Sequence, residues 1–180
     1  MLKPEECVLV VVDIQGGLAG IMEQSEALHQ TVLKLIQGLR LFEIPTLWLE
    51  QLPQKLGKTS PMLSEELIKT CSPISKQHFS GWNCHDFREQ LQQSKRKQII
   101  LVGIEAHICV YQTCLDLVKN GFEPHIVVDA VSSRTAENKR IGIEMMQERG
   151  AHITNMESLL FELQHEATGE RFKQLLKLIK

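Results

Sequence analysis

The sequence predicts an α/β protein, a three-layer α-β-α sandwich built on a six-stranded parallel sheet. Two observations carry this. Six short apolar runs alternate with amphipathic stretches along the 180 residues, and repeated strand–helix–strand units imply parallel strands joined by right-handed crossovers. Three of the runs, "CVLVVVDI" (7–14), "QIILVGI" (98–104) and "HIVVDAV" (125–131), are almost continuously apolar and rich in Val and Ile. Strands buried on both faces read this way.

In chain order the strands are 7–14, "PTLWLEQ" (45–51), "SPISKQ" (72–77), 98–104, 125–131 and "AHITNM" (151–156). Residues 23–42 read as a helix, because Leu28, Val32, Leu35, Ile36 and Leu39 fall on one stripe. Residues 87–94, 108–120 and 135–149 follow the same pattern, and Gly121 and Gly150 stand where two of these helices should stop. The segment 168–180 is a further amphipathic helix, with Phe172, Leu175, Leu176 and Ile179 on its stripe. It packs either on the core or on another subunit. With no linker, repeat or low-complexity segment, residues 1–180 read as one domain, large enough for a substantial core.

Composition excludes several function classes. The net charge is −2 and the basic residues are scattered apart from "SKRKQ" (94–98), which reads as a solvated helix end. No nucleic-acid partner is expected. The apolar run 7–12 is stopped by Asp13. It is too short for a membrane span and lacks the basic start and cleavage site of a signal peptide, so no membrane partner is expected. Five cysteines (7, 71, 84, 109 and 114) fit no disulfide framework; reduced thiols and a cytoplasmic location are expected. The histidines show no metal-ligand spacing, and no metal or other cofactor is expected. "LPQKLGKT" (52–59) has Leu52 where a phosphate loop needs glycine, and "QGGLAG" (15–20) lacks the G-x-G start of a dinucleotide turn.

Ligands of an open parallel sheet bind outside the carboxyl ends of its strands, so polar residues at those ends are the candidates. The first strand offers Asp13 and Gln15, the second Glu50 and Gln51, and the third Lys76 and His78. The fourth offers Glu105, His107 and Cys109, and the fifth Asp129. An acid, a lysine and a thiol therefore reach one rim. Cys109 stands where a strand turns into a helix, whose first turn presents unpaired N–H groups that stabilise a thiolate. A nearby ammonium lowers the thiol pKa from its usual value of about 8.5. A carboxylate in reach takes the proton, and backbone N–H groups hold an oxyanion. The residues alone also allow a bland alternative, in which Asp13 caps a turn, Lys76 pairs on the surface and Cys109 packs as a small hydrophobe.

"VVVDIQ", "SKQHFSGW" and "GIEAHICVYQTCLDLVKNGFEPHIVVDAVSSR" together resemble the isochorismatase-like cysteine hydrolases, in the subgroup of isochorismatase domain-containing proteins. The resemblance runs nearly the whole chain in order. It implies a catalytic Asp13, Lys76 and Cys109, an oxyanion hole from the N–H groups of Glu105 and Cys109, and a cis peptide at Ile104–Glu105. Two departures bear on the substrate. Ala106 and His107 stand where relatives acting on amides carry Thr–Asp, and the Asp/His cluster of the metal-binding nicotinamidases has no counterpart.

The expected function is hydrolysis of a small-molecule carboxamide or related C–N bond through a thioester. The alternatives are vinyl-ether hydrolysis, as in isochorismatases proper, or a binding or scaffold protein that retains the site. Cys109 counts against the vinyl-ether reading, because the resemblance assigns no cysteine to that reaction. Gln15 and Gln51 either orient the substrate or satisfy backbone at the strand ends. His78, Phe79 and Trp82 are candidate pocket residues, with core packing as the alternative for Phe79. The resemblance also implies a homo-oligomer.

Overall fold

The computed structural model describes residues 1–180. Its strands are β1 (Cys7–Val12), β2 (Thr46–Gln51), β3 (Pro73–Lys76), β4 (Gln98–Ile104), β5 (Glu123–Ser132) and β6 (His152–Thr154). They pair in parallel, in the order β3-β2-β1-β4-β5-β6. Nine helices surround them: α1 (Gly16–Gly20), α2 (Ser25–Arg40), α3 (Pro53–Leu56), α4 (Pro61–Leu67), α5 (His85–Ser94), α6 (Tyr111–Lys119), α7 (Ala136–Glu148), α8 (Met156–Gln164) and α9 (Gly169–Ile179).

β1 is the central strand, and all six of its residues are buried. Cys7, Leu9 and Val11 face a core shared with α2, α8 and α9. Val8, Val10 and Val12 face a second core with Phe87 and Leu91 of α5, Cys114 and Leu117 of α6 and Met146 of α7. Burying each such aliphatic side chain contributes roughly 1.5–3 kcal/mol, which is why the strand carries no polar residue.

The order in which the chain adds strands reverses at the centre of the sheet. β1 leads outward to β2 on one side, while its other neighbour, β4, leads to β5 on the opposite side. In open parallel sheets ligands bind at such a switch point, here the carboxyl ends of β1 and β4. The two strands approach closely there. At Gly103 (φ +120°) a Cβ would lie 2.0 Å from the Val12 carbonyl oxygen, so only glycine fits.

The structure revises several expected boundaries. β1 ends at Val12 because Asp13 turns into the left-handed region (φ +53°), which aspartate tolerates better than most residues. The expected helix at 108–120 is a π-helical turn, Ala106–Val110, followed by α6. The expected strand at 151–156 is cut to three residues, since the Asn155 side chain accepts from the Ser158 N–H and caps α8. The C-terminal stripe is used within the chain. Leu175 is fully buried in the first core, Phe172 meets Phe161 at 6.2 Å, and α9 packs on α2 and α8.

One buried group links the fold to pH. His125 on β5 stacks on His152 of β6 at 4.6 Å, and its Nε2 is buried without a partner. Burial, then the neighbouring His152, pushes its pKa down from 6.5 to about 4. The unfolded chain therefore binds more protons than the folded one between these values. Stability from a neutral His125 is complete above about pH 6.5 and is lost as pH falls toward 4. His125→Phe should flatten this dependence in urea unfolding. Parallel curves for the variant and the wild type would contradict it.

Candidate active site

Asp13, Lys76 and Cys109 follow or end β1, β3 and β4, and the structure brings all three together at the rim. Lys76 Nζ donates to Asp13 Oδ2 at 2.6 Å, and both side chains are desolvated (0% and 5% exposed). The ammonium donates also to Gln51 Oε1 and the His78 carbonyl, each at 3.0 Å, so all three of its hydrogens are used. Cys109 is 8% exposed, and its thiol donates to Gln51 Oε1 at 3.2 Å. Asp13 Oδ1 is buried and has no partner of good hydrogen-bond geometry, yet the Cys109 thiol lies near enough to Asp13 to influence its charge through a hydrogen bond. Oδ1 is one of two such orphaned side-chain atoms in the chain, the other being on His125.

The electrostatics differ from the expected thiolate. Burial, followed by the adjacent Asp13 charge, pushes the Cys109 thiol up to about 12, and the opposing Lys76 charge does not offset them. Desolvation thus outweighs the helix-end effect, and the resting group is a thiol. Burial also raises the pKa of Asp13, against the lowering influence of Lys76.

The turn bearing Cys109 is held from several sides. The Ile104–Glu105 peptide is cis. The Glu105 carbonyl accepts from the N–H groups of Ile108 and Val110, while no acceptor engages the Glu105 N–H. The Glu105 side chain is buried too. Its Oε2 accepts from the backbone N–H (3.0 Å) and Nε (3.1 Å) of Arg134, and so ties the turn to the end of β5. His107 Nδ1 pairs with Ser133 Oγ at 2.9 Å. Below the thiol, the Thr113 hydroxyl donates to the Cys109 carbonyl (2.7 Å) and accepts from the Gly81 N–H (2.9 Å). Ser80 Oγ donates to Asp116 Oδ2 at 2.6 Å, so the loop after β3 is clamped to α6.

The other candidates divide. Gln51 belongs to the site through its contacts with Lys76 and Cys109. Gln15 is 1% exposed and is used up in holding the end of β2. Its Oε1 accepts from the Gln51 N–H (2.7 Å), and its Nε2 donates to the carbonyls of Gln51 (3.2 Å) and Gly57 (2.7 Å). These contacts are those of the backbone reading of Gln15. His78 and Phe79 lie exposed on the loop after β3, and Phe79 is not core (51% exposed). Trp82 is not at the rim. Its ring packs edge-on against Phe122 at 5.6 Å, beside Lys95 and Asn120, where the chain enters β4 and β5 at the opposite end of the sheet.

Gly142 is a supporting residue that the sequence reading missed. It lies in α7, and a Cβ there would stand 2.7 Å from the Ala106 carbonyl carbon and the His107 nitrogen. Gly142→Ala must displace the turn that carries the thiol, and overpacking of this kind costs typically about 1–3 kcal/mol. The variant should melt at lower temperature and alkylate Cys109 at an altered rate. If both are unchanged, α7 does not hold the turn. No three His, Cys, Asp or Glu side chains converge where they could hold a metal ion, and no helix is long and apolar enough to cross a membrane.

Residues 7–158 match the isochorismatase domain. The chain is 34% identical to the secreted isochorismatase effector Isc1 of Phytophthora sojae, over 99% of this chain and 87% of that protein. It is 33% identical to human isochorismatase domain-containing protein 2, over 98% and 84% of the two chains. Among solved structures, the MAR1 ribonuclease from Caenorhabditis elegans superposes with a TM-score of 0.90 at 35% identity, covering 99% of this chain and 91% of that one.

Proposed function

The chain belongs to the isochorismatase family, among the isochorismatase domain-containing proteins, and on that premise we propose that this hydrolase cleaves a small-molecule carboxamide or related C–N bond through a thioester on Cys109. One observation supports this above the rest. Lys76 holds one oxygen of Asp13, while the other is buried without a partner of good geometry, on a carboxylate within reach of a protonated thiol. A buried acceptor without a donor is costly unless it serves a purpose.

In the proposed cycle the S–H turns from Gln51 to Asp13 Oδ1. Asp13 takes the proton as sulfur attacks the carbonyl carbon. The raised pKa of Asp13 suits it to this task, since a base works best when its pKa approaches the working pH. The N–H groups of Glu105 and Cys109 hold the oxyanion. Collapse breaks the C–N bond, and Asp13 returns the proton to the leaving amine. Water, deprotonated by Asp13, then cleaves the thioester to a carboxylic acid and restores the thiol. Lys76 keeps the Asp13 charge in place throughout, while Gln51, His78 and Phe79 border the substrate.

A wild-type and Cys109→Ala pair incubated with a metabolite extract tests this reading by mass spectrometry. We expect a carboxamide consumed by the wild type alone, with an acyl adduct on Cys109 in quenched samples. Equal consumption by both proteins would refute it. The word ribonuclease in the C. elegans protein's name gains no support from this chain, whose 20 basic and 22 acidic residues leave no excess of positive charge.

A homo-oligomer in the cytoplasm completes the proposal. Ile21, Leu56 and Phe79 are exposed apolar residues on the segments that follow β1, β2 and β3, and the five free thiols suit a reducing compartment. Light scattering at micromolar concentration should give a multiple of 20.5 kDa. A monomeric mass would contradict it.

A further inference from the structure

Glu50 faces away from Cys109, on the side of β2 that carries Trp48, and the reaction proposed above leaves it unused. It is 5% exposed. Its Oε1 accepts from the N–H and the hydroxyl of Thr59, at 2.7 and 2.8 Å. Trp48 Nε1 in turn donates to the Thr59 hydroxyl oxygen at 2.7 Å, so the hydroxyl is fixed as a donor toward Glu50. No protein donor reaches Oε2. Glu50 also lines a cavity of about 360 Å³ under α4, with Trp48, Lys58, Glu65, Ile68 and Pro73. Trp48, Ile68 and Pro73 make its walls largely apolar.

We propose that this cavity is a second ligand site, selective for a small organic ammonium with an apolar body. A carboxylate in the lining of a largely apolar cavity, with one oxygen fixed by two donors and no protein donor on the other, suits one N⁺–H donor. Such charge-assisted hydrogen bonds are roughly twice as strong as neutral ones. The volume fits a ligand of about ten heavy atoms, near the lower end of the size range of small-molecule sites. Lys58, the one cation among the lining residues, is exposed, so water screens its charge. Glu65 at the lining adds a second negative charge.

Calorimetric titration of the full chain with phenethylammonium and with its neutral counterpart 2-phenylethanol tests this at low salt. The ammonium should bind saturably, and at least about tenfold more tightly than the alcohol, whose O–H can also donate to Glu50 but which brings no charge opposite Glu50 and Glu65. Glu50→Gln should remove that preference. Because Glu50 also anchors Thr59, Ile68→Arg serves as the second variant. Ile68 is 61% exposed, so the change blocks and charges the mouth without touching the core, and ammonium binding should weaken by a similar factor. Protein carbamidomethylated at Cys109 should bind as the wild type does, which separates this site from the reactive thiol. Undetectable ammonium binding, equal binding of the alcohol, wild-type binding by Ile68→Arg, or loss on Cys109 alkylation would each overturn the proposal.

Discussion

Cys109→Ala is expected to abolish turnover while leaving the fold intact. The substitution removes one sulfur atom from a side chain that is already 8% exposed. The lost hydrogen bond leaves no orphan, because Gln51 Oε1 still accepts from Lys76. The backbone N–H groups of the turn also remain, so substrate binding should persist. The proposed reaction loses its nucleophile, and removing the nucleophile of a hydrolytic triad lowers kcat on the order of 10⁶-fold. Residual turnover within tenfold of wild type would show that the chemistry lies elsewhere, as would wild-type turnover with impaired binding.

Asp13→Asn should have the second largest effect, and it should act in two directions at once. Turnover should fall by roughly 10²–10⁴-fold, the usual contribution of a positioned acid–base group. The thiol itself should become easier to ionise. After burial, the Asp13 charge is the largest influence raising the Cys109 pKa, and Asn removes it while Lys76 continues to favour the thiolate. A variant that reacts more readily with iodoacetamide near neutral pH, yet hydrolyses more slowly, separates a general base from a residue that merely maintains structure. Slower alkylation together with slower turnover would point to the structural role.

The fold was legible in the sequence wherever one segment carries its own pattern. The strand at 98–104 has the predicted limits, because a run of buried aliphatic residues needs no tertiary information to be recognised. β5 is longer than the run that revealed it, beginning at Glu123 and passing through Pro124, which masked its start. α8 was hidden because Asn155 and Met156 were read as the end of a strand, while the Asn155 side chain caps the helix.

For the site, parallel topology did most of the work. Once β1, β3 and β4 run parallel in one sheet, the residues at their carboxyl ends share a rim, which groups Asp13, Lys76 and Cys109. Contacts that depend on register between remote segments left no such trace. Glu105 with Arg134, Ser80 with Asp116, and Gly142 against Ala106 are three of these. Trp82, a pocket candidate in the sequence, shows the same limit. The short turn Gly81–Asn83 carries its ring away to Phe122. The thiol pKa was misjudged for a related reason. A helix end is a local feature, whereas the desolvation that dominates at Cys109 comes from the packed core.

The central claim, that a protonated Cys109 is served by Asp13 and that Lys76 opposes the Asp13 charge beside it, reduces to the pH dependence of one rate. That rate is iodoacetamide alkylation of Cys109, followed by peptide mass spectrometry in wild type, Asp13→Asn and Lys76→Ala. The influences on the thiol set the signs: Asp13 raises its pKa and Lys76 lowers it. The Asp13→Asn profile should therefore move to lower pH than wild type, and the Lys76→Ala profile to higher pH. Two profiles that stay on the wild-type curve, or that move in the same direction, would mean that Cys109 is not coupled to these two charges as described.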